Sequence, residues 1–194
     1  MKSLNLNVPD EQAQAFAKEL ATLMKKHGVE VENEEALDAM RPITERVKTF
    51  EDACNALGDE HPYVTQYGLT SAAYKGDEKV EDFIAYLKLR IIVAALNEGW
   101  QPTFSDGEYR YYPWFEFYTK EELDAMNEEE RNRVLHSSNS NAVVNAGVAY
   151  SHTYYASSDS SSNGGGCLCY KNRELAEYAG QQFLAIYADF LIGF

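Results

Sequence analysis

The chain is poor in basic residues and cysteine, has no long apolar run, and carries no catalytic signature. Each shortage removes a class of function. Lys and Arg number 17 against 31 Asp and Glu, for a formal charge of -14. A broad electrostatic grip on nucleic-acid phosphates or anionic lipid needs the opposite balance, so no nucleic-acid partner is expected. The most apolar run, Ile91 to Leu96, is six residues long. A membrane span takes about 20, so no membrane insertion is expected. Met1 to Asp10 is polar with one lysine and lacks the apolar core of a secretory leader, which predicts a soluble protein, cytoplasmic on synthesis.

Cysteine occurs three times, at Cys54, Cys167 and Cys169. An odd count without a leader fits a reducing compartment rather than a disulfide framework. Cys167 and Cys169 are one residue apart, closer than zinc ligands usually stand, and only His136 and His152 lie near them, so no metal is expected. Strand alternation would put these two thiols on one face. The chain has no G-x-S-x-G, H-E-x-x-H or P-loop, and Gly164-Gly165-Gly166 lacks the following Lys-Ser/Thr of a phosphate cradle. No catalytic residue and no cofactor are therefore expected, and the protein reads as non-enzymatic.

What is present begins with helices. Ala13, Phe16, Ala17, Leu20, Leu23 and Met24 recur at helical spacing between Pro9 and His27, and Gly28 supplies a stop. A turn over Val29 to Glu35 and a short helix from Ala36 to Val47 follow. Thr49 is placed to cap a helix with the face Phe50, Ala53, Cys54 and Leu57, ended by Gly58. Asp59 to Gly76, with His61-Pro62 and two glycines, reads as a loop. The clearest helix runs from Glu78 to Asn97 through Val80, Phe83, Ile84, Leu87, Ile91, Ala94 and Ala95. Ile92, Val93 and Leu96 widen its face, so burial on more than one side is expected.

After Gly99 the period changes. Trp100 to Phe104 and Tyr109 to Tyr118 read as strand around a Ser105-Asp106-Gly107 turn, with Pro113 confined to an edge or a bulge. Their aromatic density admits two readings, a core between helices and sheet or a stacking platform. Thr119-Lys120-Glu121-Glu122 fits a capping box opening a helical stretch to Leu135, whose Glu128-Glu129-Glu130 run reads as a solvated face. A last amphipathic helix spans Arg173 to Leu191, capped by Asn172 and interrupted by Gly180, which marks close packing or a bend. The fold class is α+β: a helix-rich N-terminal half, a small antiparallel sheet from about residue 100 and a C-terminal helix. Residues 1–76 read as a helical region and 77–194 as an α+β region, or the two as one continuous domain.

Between the last two helices lies residues 137–166, built almost wholly from Ser, Asn, Ala, Gly, Tyr and Val. Ser157 to Gly166 fits a flexible loop. Ala142 to Tyr155 has strand character through Val143, Val144, Val148, Tyr150, Tyr154 and Tyr155. From Arg131 to Tyr170 there is no Lys, Glu, Gln, Met or Trp, and the one acid is Asp159. The missing five types cannot be reached from AAC or AAT codons by changing the first two bases; the types present mostly can.

On these residues, the segment resembles the variable region of proteins targeted by diversity-generating retroelements. That resemblance implies a C-type-lectin-like fold and a ligand-binding surface of mutable side chains, here Asn139, Asn141, Asn145, Tyr150, His152, Tyr154, Tyr155, Asp159 and Asn163. Two features depart from the pattern: a helix follows the segment, and Gly164 to Tyr170 has no arginine. Three further stretches are similar to uncharacterised phage and prophage proteins of gut bacteria: Ala85 to Ile92, Tyr109 to Phe115 and Glu174 to Gly180. They imply a phage setting, with virion association open.

Tyr gives rigid contact area while Ser, Asn and Gly give adaptable hydrogen bonding, the mixture used by antibody loops. The leading expectation is a phage- or prophage-encoded binder of a protein or carbohydrate ligand, with homo-oligomerisation open. Two alternatives stay open: a virion structural or assembly protein, and an acidic accessory protein occupying a basic partner.

Overall fold

The computed structural model describes residues 10–27, 41–103, 105, 107–136, 147–157 and 166–192. The chain divides into two compact units, residues 1–46 and 47–194. The first holds α1 (Asp10–His27) and the single turn α2 (Ile43–Arg46). Phe16, Leu20 and Met24, each four residues apart, are half-buried in α1, whereas Leu23 is exposed. Of the short helix expected over residues 36–47, the part before Arg41 lies outside the described residues.

The second unit is built around α5 (Glu81–Asn97). Leu89, Ile91, Ile92 and Leu96 are fully buried, and with Ala85, Leu87, Val93 and Ala95 they cover most of its circumference. Burying each large aliphatic side chain contributes roughly 1.5–3 kcal/mol. This helix is therefore the centre of the core, as its apolar width predicts, although Phe83 in its first turn is exposed. Packed on α5 are α3 (Phe50–Leu57), α4 (Pro62–Ala73) and the C-terminal α9 (Leu184–Ile192). Thr49 caps α3 by accepting from the Asp52 N–H, and Asp52 returns a carboxylate to the Thr49 N–H; this is the reciprocal box that makes the start of α3 legible.

The loop expected over Asp59–Gly76 is instead largely α4. Pro62 occupies the first helical position, where its missing N–H costs nothing, and His61 Nδ1 accepts from the Tyr63 N–H at 3.2 Å; the residues taken for a break are a helix start. No residue of α4 is fully buried and Leu69 is exposed, so the helix has no strong apolar stripe to announce it. Its hold includes Tyr67, edge-to-face with Phe50 at 4.8 Å.

The sheet has the order β1-β3-β2, all antiparallel, from β1 (Tyr109–Tyr118), β2 (Leu135–His136) and β3 (Gly147–Ser157). The antiparallel sheet and C-terminal helix make the chain α+β. The strand expected over Trp100–Phe104 does not form at residues 100–103, where the chain leaves α5 through Glu98 and Gly99 at φ 49° and 85°. Pro113 sits where the sequence confines it. β1 is the edge strand, and its outward side is bridged at Tyr111, whose N–H donates to the Tyr170 carbonyl at 3.1 Å. Pro113, two residues on, shares that outward direction, so its absent N–H removes no bond to β3. A bulge follows: Trp114 pairs with His152 and Phe115 with Tyr150, leaving Ser151 as the extra residue.

Thr119 and Asn127 begin the two short helices α6 (Lys120–Ala125) and α7 (Glu128–Arg131), each with a capping box. These and β2 replace the continuous helix expected to Leu135, and Glu128, Glu129 and Glu130 are exposed. The expected C-terminal helix is two, α8 (Arg173–Gln182) and α9, separated at Phe183. Asn172 caps α8 through the Leu175 N–H. Gly180 marks close packing: a Cβ there would stand 2.5 Å from Tyr150 Cδ2 and 2.7 Å from Pro113 Cβ. Helix α8 thus lies directly on the sheet. We expect Gly180→Ala to destabilise the protein by about 1–2 kcal/mol in urea unfolding, the overpacking outweighing the helix-propensity gain; a stabilised variant would show that this contact is loose.

The Tyr170 and Tyr187 hydroxyls meet at 2.9 Å inside the core. Burial pushes both phenols well above the ordinary tyrosine range. Their folded pKa values exceed the unfolded value near 10, so the stability they lend is full below about pH 10 and falls as pH rises beyond it. In an alkaline titration followed by phenolate absorbance, these two should ionise only together with unfolding. Ionisation of every tyrosine before any loss of helix would refute the pair.

Candidate functional site

The two faces of the sheet differ. On one, Gly180 of α8 covers Pro113 and Tyr150, and Tyr187 of α9 meets Phe115 at 4.8 Å. Alternation from Pro113 places Trp114 on the opposite face, together with its partner His152 and the pair Tyr112–Tyr154. One end of that face is closed by a small core of Leu123, Val134 and Ala149, packed with Tyr118 and Met126. The rest is open: Trp114 is 49% exposed and Tyr154 is 51% exposed. Tyr155, the partner of Tyr111, falls by the same alternation on the Pro113 side and is exposed at the strand end.

The open part is ordered by its own contacts. Trp114 lies 5.9 Å from the His152 ring and 6.0 Å from the Tyr154 ring. Tyr154 stacks on Tyr155 at 6.2 Å, and Tyr155 meets Tyr109 edge-on at 5.5 Å. These packed rings lose little freedom when a partner covers them, which suits Trp and Tyr to anchoring an interface. Beside the rings, the Tyr118 hydroxyl donates to Glu116 Oε2 and the Ser151 hydroxyl to Glu116 Oε1, each at 2.8 Å. Those bonds, Tyr118's first, hold the Glu116 carboxyl below the usual carboxylate range, with His152 adding to the effect. Ser151 Oγ also lies 3.1 Å from His152 Nδ1. The bulge makes this cluster, because the extra residue turns Ser151 toward Glu116. The result is a ledge of rings with a fixed anion and two hydroxyls at its side.

Of the residues expected to bind ligand, Tyr150, His152, Tyr154 and Tyr155 are described. His152 and Tyr154 are exposed on this ledge, and Tyr155 is exposed at the strand end with Tyr111 as its partner; Tyr150 is half-buried under α8 and packs edge-on to Phe115 at 6.3 Å. Asn139, Asn141, Asn145, Asp159 and Asn163 lie outside the described residues. The aromatic strand divides between the two faces: Phe115 joins the core side, while Trp114 belongs to the open ledge. The cross-strand register adds what composition did not: Trp114 and Glu116 of β1 join the exposed residues of β3.

The two C-terminal cysteines do not share a face. Gly166–Leu168 is a turn of 3-10 helix rather than strand, which leaves Cys167 exposed and Cys169 buried. Burial pushes the Cys169 thiol up to about 11, against the opposing charge of Arg110. Among the described residues, no group of three or more His, Cys, Asp or Glu could hold a metal ion, and no helix is long and apolar enough to cross a membrane.

Against known proteins, no family model, curated protein or solved structure matches the chain.

Proposed function

We propose that the protein is a non-enzymatic binding protein whose recognition surface is the ledge of Trp114, His152 and Tyr154, flanked by Glu116 and Ser151. The observation that carries this reading is the open half of the sheet face. Large rings from two paired strands stay half exposed there, while helices pack on Pro113, Phe115 and Tyr150 of the opposite face. Single exposed apolar residues need no explanation, whereas a contiguous group with fixed polar neighbours marks an interaction surface.

The ligand class is a protein or a carbohydrate, each offering a flat face to the rings and donors to Glu116. The Ser/Asn-rich segment 137–166 contains β3, so sequence variation in it would alter the ligand read by a constant β1. That division of labour suits the phage or prophage setting, and it supports recognition by shape and hydrogen bonds more than by net charge.

The test is a glycan array and a displayed random-peptide selection, each run on the wild type and on a folded Trp114→Ala/Tyr154→Ala variant. Ligands captured by the wild type and lost by the variant support the reading. Ligands that bind both equally contradict it, as does a wild type that captures nothing in either format.

A further inference from the structure

A second feature lies away from the sheet ledge. Between the start of α4, the C-terminal half of α5, residues 99–102 and Cys167 is a pocket of about 580 Å³, within the range of small-molecule sites. Leu57, Pro62, Val93, Ala94, Trp100 and Pro102 give it apolar walls, and Arg90 stands among them. Arg90 is half-buried, and its guanidinium donates to the Tyr86 hydroxyl at 2.9 Å and to the Tyr63 hydroxyl. Its central carbon also lies 4.4 Å from the Tyr63 ring centroid. Both hydrogen-bond partners are neutral. Among the described residues no carboxylate pairs with Arg90, in a chain where acids outnumber bases 31 to 17.

A guanidinium has five N–H donors, and two are used, leaving three for a ligand while the phenols hold the group in place. A half-buried cation without a counter-charge is costly, and an anionic ligand would supply that charge. The pocket has features against a phosphate. Among the described residues no second Lys or Arg lines it, Pro62 has no N–H, and the Tyr63 N–H at the helix start is already taken by His61. A monoanion matches the single free charge.

We propose that this pocket binds a small organic monocarboxylate, its carboxylate on Arg90 and its apolar body between Trp100, Val93 and Leu57. The phenols of Tyr63 and Tyr86 act as positioning groups. This site is independent of the sheet ledge.

The test is calorimetric titration of the full chain with phenylacetate, hydrocinnamate and hexanoate, each against its neutral amide, with phenyl phosphate as a further arm. At least one acid is expected to bind saturably, at least about tenfold more tightly than its amide. Trp100 fluorescence should respond in a Trp114→Phe background, where Trp100 is the remaining tryptophan. Arg90→Gln should weaken the acid by at least about tenfold and bring it level with the amide. Arg90→Lys should recover part of the loss, since it keeps the charge without the fork. Equal affinity for acid and amide, unchanged binding in folded Arg90→Gln, tighter binding of phenyl phosphate, or no saturable binding by any of the acids overturns the proposal. If Arg90→Gln fails to fold, the acid-against-amide comparison on the wild type decides alone.

Discussion

Replacing Asn97 by alanine is expected to cost about 3 kcal/mol of stability, a large share of the roughly 5–15 kcal/mol that holds a domain folded. Asn97 is buried at the end of α5, where its Nδ2 donates to the Cys169 carbonyl at 2.8 Å and its Oδ1 accepts from the Lys171 N–H at 3.0 Å. Both partners belong to the segment joining the 3-10 turn to α8. With alanine, the buried Cys169 carbonyl loses its donor and the half-buried Lys171 N–H its acceptor, and each orphaned group costs about 1–3 kcal/mol where water cannot reach it. The damage spreads because Tyr170, between them, bridges Tyr111 on the edge of β1 and meets Tyr187 in the core. Urea unfolding should show a lower midpoint with an unchanged slope. A loss under about 1 kcal/mol would mean that the segment is held by packing alone.

The second large effect concerns binding rather than stability. Trp114→Ala is expected to weaken a ligand of the ledge by about 2–4 kcal/mol, roughly 30- to 1000-fold, the range for a central aromatic anchor. Tyr154→Ala should cost less, because Trp114 keeps its packing against His152. Both side chains are half exposed, so neither change should lower stability by much more than about 1 kcal/mol. Equal losses of affinity and stability would instead make the ledge a piece of core.

The sequence was most informative where one physical rule acted alone. The apolar width of Ile91, Ile92, Val93 and Leu96 predicts a helix buried on more than one side; Thr49 announces a cap and Thr119 a capping box, and Pro113 predicts an edge or a bulge. It was least informative where tertiary contacts decide between equal local options. Pro62 opens a helix because His61 caps it and α5 offers a surface, yet His-Pro beside glycines reads equally well as a turn. Cys167 and Cys169 follow strand alternation on paper, but the chain turns to bring Tyr170 against Tyr111. The ledge shows the same limit. Tyr154 and His152 stand out by composition, whereas their junction with Trp114 and Glu116 depends on a cross-strand register and a one-residue bulge. Asn97 could have been suspected as a polar residue closing the longest apolar run. The setting of Arg90, bonded to two phenols and to no carboxylate among the described residues, has no sequence signal, because it depends on tertiary packing.

The most direct test of the central claim uses the two tryptophans, one on each surface: Trp114 on the ledge and Trp100 in the pocket. In a heteronuclear NMR titration with a ligand selected on the glycan array or from the peptide library, the Trp114 indole N–H resonance should shift and saturate. The Trp100 resonance should stay in place. A shift confined to Trp100, or saturable binding that moves neither, would contradict the assignment of recognition to the sheet ledge.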